Sequence, residues 1–156
     1  MDKVIGGGII DFPIAKVLEI KGYLDRLDAL VLEYIYTSDP LSLESLKRKL
    51  IGELSSFAEL YAFVRSYKSG THSYVEEERK SLKARCIKNM TEVSHTKAAE
   101  LVYDSEAYKA GIRKVEDIRA YFLKVEMKYD IYTRTLDAII QSTSIAYKEK
   151  SQSNFG

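Results

Sequence analysis

Tryptophan is absent from this chain of 156 residues, cysteine occurs once and proline twice. Each scarcity closes a class of explanation. A lone cysteine, Cys86, makes neither an internal disulfide framework nor a cysteine-based zinc cluster, and it fits a reducing compartment. Pro13 and Pro40 both stand where a helix would begin, in a first turn whose N–H groups have no intrahelical acceptor. An excess of one charge is missing too: 24 basic and 23 acidic residues leave a net charge of +1. That balance argues against a whole-molecule polyelectrolyte binder of nucleic acid or membrane, so any such site must be local. No apolar run approaches the roughly 20 residues of a membrane span. The opening MDKVIGGGIIDFPI sets Asp2 and Asp11 around a short apolar run and lacks a signal-peptide layout. The chain therefore reads as soluble and cytoplasmic. No run alternates apolar and polar residues for long enough to make a half-buried strand, so the expected class is all-α.

What is present is heptad spacing. From about Asp104 to Lys148, two uncharged seams recur: Tyr108, Val115, Phe122, Tyr129, Leu136, Thr143, and Gly111, Ile118, Val125, Tyr132, Ile139, Ala146. A repeat of 3.5 with charges on the other positions is the pattern of a helix packed lengthwise on another helix. At 1.5 Å per residue it would span roughly 65 Å, longer than a compact domain of this size is wide. Part of the seam is therefore expected to be covered by other helices or other subunits. The oligomerisation seam is assigned to Val115, Ile118, Phe122, Val125, Tyr129, Tyr132, Leu136 and Ile139.

With 46% hydrophobic and 30% charged residues, the chain reads as a single helical domain, 1–156, a bundle with a long coiled-coil-like C-terminal helix. Residues 1–12, with Gly6, Gly7 and Gly8, are expected to be a flexible N-terminus. No strand precedes the glycines and no Gly-Lys-Ser/Thr follows them, so a phosphate loop is not indicated. Two N-terminal helices are expected over 13–67, with Asp11 capping the first and Thr37, Ser38 and Asp39 dividing them. A break at Lys68, Ser69, Gly70 and Thr71 follows. A basic helix should run from Ser73 or Tyr74 to Met90, with Glu76, Glu77 and Glu78 in its first turn and Glu76 pairing with Lys80. A short helical segment to Tyr103 completes 73–103. Asp104 or Ser105 should cap the last helix, 104–150, and Ser151 to Gly156 reads as a polar tail.

Chemistry is sparse. Asp25 and Asp28 lie one turn apart but lack a third ligand, and His72 and His95 have no partner at metal-ligand spacing. Cys86 falls on the apolar strip of the basic helix with Val75, Leu82 and Met90. No nucleophile–base pair, Walker motif or Glu-x-x-His pair is present. No catalytic residue, metal or cofactor is expected, and the chain reads as a non-enzyme. From Arg79 to Thr91 there are five basic residues and no acidic one. Lys80, Lys83, Arg85 and Lys88 are thus the candidate phosphate contacts, and binding through them would be steeply salt-dependent. A solvated helix face explains the same run. Among the 12 tyrosines, Tyr74 and Tyr103 flank the basic segment and are candidates for base stacking, or for packing alone.

Leu82-Lys83-Ala84-Arg85, followed about fifty residues later by Leu136-Asp137-Ala138-Ile139 and then Ser142 and Lys148, resembles in order and spacing the UvsY-type recombination mediators of T-even-like bacteriophages. The resemblance covers roughly residues 54–150. The first fifty residues lie outside it, and Cys86 and Ile87 replace aromatic residues of the family pattern. It implies a non-enzymatic mediator of the host cytoplasm that assembles into rings, binds single-stranded DNA, loosens the single-strand-binding protein and helps a RecA-like recombinase nucleate. In that family's terms Lys83 and Arg85 would contact DNA and the C-terminal helix would carry the homo-oligomer. A weak patch repeated around a ring gains through effective concentration. The heptads alone also fit an adaptor, assembly chaperone or inhibitor that acts through protein contacts and binds no nucleic acid.

Overall fold

Thr37 and Asp39 end one helix and begin the next through their own side chains. A computed structural model describes residues 4–5, 12–69 and 71–154, and the side chains of residues 15–66 and 77–154. The first helix, α1, covers Ile14–Ile35; just beyond it the Thr37 hydroxyl donates to the Glu33 carbonyl, 2.7 Å. The second, α2, covers Pro40–Ser69. Asp39 precedes it and accepts from the Ser42 N–H at 2.9 Å and the Leu41 N–H at 3.3 Å, satisfying donors that have no intrahelical partner. Hydrogen bonds from the Ser42 side chain and then its backbone hold the Asp39 carboxyl below its ordinary value. A depressed carboxyl contributes stability above the ordinary value of 3.8 and loses it as pH falls through the folded-state value. Asp39→Ala should accordingly lower the thermal midpoint at neutral pH, with the gap closing on acidification. A gap that stays constant across that titration would rule out the cap as its source.

Three further helices follow, α3 (Thr71–Asn89), α4 (His95–Leu101) and α5 (Glu106–Ser153), with a 3-10 turn at Val102–Asp104 between the last two. The described chain is all-helical apart from a two-residue antiparallel pairing of Val4–Ile5 with Phe12–Pro13. No helix among the described residues is long and apolar enough to cross a membrane.

Three boundaries differ from expectation, the first being the end of α2, which takes in Lys68 and Ser69 of the expected break. Because α3 starts at Thr71, Glu76, Glu77 and Glu78 lie beyond its first turn. The macrodipole contributes only about 0.3–1 kcal/mol, too little to fix where a helix begins. The last helix continues to Ser153, where the Ser151 and Ser153 hydroxyls donate back to the Lys148 and Lys150 carbonyls, both at 2.9 Å. The expected tail thus forms another turn. Most of residues 1–12, including Asp11, lies outside the described residues, as do Gly70, Phe155, Gly156 and the side chains of Tyr67, His72, Tyr74, Val75 and Glu76.

The chain forms two compact units, and α1, α2 and α5 contribute to both. One unit, Leu18–Tyr61 with Val125–Gly156, packs α1 and α2 on the C-terminal part of α5. Ile20, Leu24 and Leu27 of α1 are buried here with Leu46, Leu50 and Phe57 of α2. Tyr61 stacks on Tyr129 at 3.7 Å. Asp25 and Asp28 diverge: Asp25 pairs with Lys21 at 2.6 Å, whereas Asp28 accepts from Lys128 Nζ at 2.9 Å and from the Tyr132 hydroxyl at 2.7 Å.

The other unit, Met1–Val17 with Ala62–Lys124, holds α3, α4, the 3-10 turn and the N-terminal part of α5. The seam assigned to oligomerisation is enclosed within the single chain. Val115, Ile118, Phe122, Val125, Tyr132 and Ile139 are buried and Tyr129 and Leu136 half-buried. Thr135 and Thr143 share that burial because their hydroxyls donate to the Ile131 and Ile139 carbonyls, at 2.8 and 3.0 Å, which satisfies them without a partner helix.

Candidate functional site

α3 turns different faces to different surroundings. Leu82 and Cys86, one turn apart, are buried with Val102, and Ile87, Met90, Tyr108 and Ile112 pack against them. Cys86 thus packs as a small hydrophobe. Elsewhere on the helix Lys80, Ala84, Ile87 and Lys88 follow i, i+4, i+7 and i+8, the spacing of one face. With Lys83 and His95, the first residue of α4, they line an open depression of about 450 Å³. Its surface is almost wholly apolar, made by Ala84, Ile87 and the carbon stems of the lysines beside His95, and none of its described lining residues is acidic.

The structure therefore brings together three of the four expected phosphate contacts, Lys80, Lys83 and Lys88. Arg85 stands apart. Two residues along a helix is a rotation of about 200°, so Arg85 leaves α3 on nearly the opposite side from Lys83 and is exposed outside the depression. Arg79, the fifth basic residue of the run, pairs with Glu116 of α5.

Tyr103 joins the site through local structure that its own neighbours enforce. Ser94 caps α4, its hydroxyl accepting from the Lys97 N–H at 3.3 Å. The tight turn after α4 is closed by Ser105, whose hydroxyl donates to the Val102 carbonyl at 2.8 Å and accepts from the Tyr108 N–H at 3.2 Å. That closure places Tyr103 against Tyr108, edge to face, with ring centroids 5.5 Å apart. Lys83 Nζ donates to the Tyr103 hydroxyl at 2.6 Å. The other stacking candidate, Tyr74, has its side chain outside the described residues.

No family model, curated protein or solved structure matches this chain.

What the arrangement offers chemically follows from its groups alone. Ammonium and imidazole N–H groups donate to anionic oxygens, and the apolar lining suits a flat or aliphatic moiety beside them. Among the described residues no three His, Cys, Asp or Glu side chains gather where they would hold a metal. His95 is the member that sequence reasoning missed, having weighed it only as a metal ligand. Its position at the start of a capped helix was readable, but the packing of α4 beside the lysine face of α3 was not.

Proposed function

We propose that the lysine face of α3 holds the phosphate backbone of single-stranded DNA, and that the chain acts as a non-enzymatic recombination mediator. In that role it helps a RecA-like recombinase displace single-strand-binding protein. The observation that carries this reading is that Lys80, Lys83, Lys88 and His95 border one depression whose described lining has no carboxylate. It is supported by the position of that depression on the helix bearing Leu82-Lys83-Ala84-Arg85, the stretch similar to the mediator family.

Anisotropy of a labelled oligonucleotide tests it. Three lysine–phosphate contacts predict a slope of about −2 for log K against log salt, or about a 20-fold loss for a fourfold rise in salt. Replacing Lys80, Lys83 and Lys88 together with alanine should flatten that slope toward zero. Arg85→Ala alone should change it by less than one contact's share, because Arg85 lies off the depression. Assembly of several copies belongs to the same proposal. Mass in solution with and without the strand tests it, since the enclosed seam leaves other surface to make the subunit contact.

One observation favours a second reading, a helical adaptor that works through protein contacts. Met127 and Ile131, one turn apart on α5, form a small outward apolar patch, 67% and 46% exposed. Absence of strand binding even at low salt would select it.

A further inference from the structure

Resting on the phosphate contacts proposed above, we infer that Tyr103 makes this face selective for unpaired bases, its ring stacking on one base of a single strand while the lysines hold the phosphates. The ring is accessible, 52% exposed, in the middle of the 3-10 turn. It is fixed from two sides. Tyr108 backs it at 89°, and Lys83 grips its hydroxyl.

The two Lys83 distances decide what that grip leaves free. The ammonium lies 2.6 Å from the phenolic oxygen but 4.7 Å from the ring centroid. It is a hydrogen-bond donor at the hydroxyl end of the ring, not a cap over its centre. The stem of Lys83 also lines the depression bordered by Lys80, Lys88 and His95, so a single side chain joins that lysine-bordered depression to the aromatic ring. A nucleotide presents the matching pair of groups, an anionic phosphate and, one sugar away, a flat base. A ring already held in place loses little freedom when a base settles on it. In a duplex both faces of each base are occupied by its neighbours, so stacking on Tyr103 is open only to a strand with splayed bases.

The full-length chain should be titrated with a labelled oligothymidylate, with the same strand carrying abasic sites, and with a duplex of equal length. The native protein should prefer the strand over both of the others. Tyr103→Ala should weaken strand binding by about 5- to 150-fold, the range of one lost base stack, and should bind the abasic strand as the native protein does. Tyr103→Leu, which keeps an apolar side chain against Tyr108 but has no π face, should behave like Tyr103→Ala. Tyr103→Phe should keep most of the native affinity. Strand binding unchanged in Tyr103→Ala and Tyr103→Leu would overturn this role while leaving the lysine contacts standing. A native chain that binds no strand at all would overturn both.

Discussion

Phe57→Ala should lower the free energy of unfolding by about 3–5 kcal/mol, roughly a fifth or more of what a domain of ordinary stability possesses. The ring has no exposed surface. It meets Tyr23 at 5.3 Å, Tyr61 at 6.1 Å and Tyr129 at 6.2 Å between centroids, so rings from α1, α2 and α5 close around it. Removing it opens a cavity that its neighbours are poorly placed to fill, because Tyr61 and Tyr129 are already stacked face to face at 3.7 Å. Urea unfolding should show the midpoint falling with little change in slope. A shift within the roughly 0.5 kcal/mol of an ordinary surface substitution would mean that this aromatic cluster does not form.

The second large effect is expected at the polar clamp between α1 and α5. Tyr132 is fully buried, and its hydroxyl donates to Asp28 at 2.7 Å and reaches the Leu24 carbonyl at 3.3 Å. Asp28→Ala takes away the charged acceptor and should cost about 1.5–3 kcal/mol, the range for a hydrogen bond to an ionised group. The Lys128 contact adds little to that figure, since both side chains remain partly exposed and surface ion pairs contribute little. Burial first, then the hydrogen bond to Asp28, pushes the Tyr132 hydroxyl well above the ordinary tyrosine value of 10.0. Burial likewise pushes Tyr121 up to about 12. A group whose folded-state value is raised contributes stability that is complete below its unfolded value and is lost as pH rises through the folded one. The thermal midpoint should therefore hold up to about pH 10 and fall beyond it. Tyr132→Phe should make that fall shallower. A native profile that stays flat into strong alkali would contradict the burial of both hydroxyls.

Much of the helical layout was legible because it depends on short-range physics. Pro40 after Asp39 marks a helix start through a missing N–H and a side-chain acceptor. Heptad spacing marks which face of α5 is buried, since side chains 3.5 residues apart return to the same side. The basic run of α3 was legible from composition, and the location of Cys86 on its apolar strip from the helical repeat. The details that failed were those set by small energies at helix ends, such as the start of α3 at Thr71 and the continuation of α5 to Ser153.

The sequence by itself determined the helical class, the buried faces of α3 and α5 and the segment in which positive charge is concentrated, because periodicity and local hydrogen bonding act over a few residues. Only the tertiary structure decided what each face meets. It buried most of the α5 seam within one chain and joined Asp28 to Lys128 and Tyr132 across about a hundred residues. It also set Tyr103 against Lys83, twenty positions away. A helical repeat fixes the direction in which a side chain leaves its own axis but carries no information about which distant helix lies in that direction. For this chain the candidate site depends on that second fact, since three lysines, a histidine and a tyrosine become one surface only when α3, α4 and the turn after it pack together.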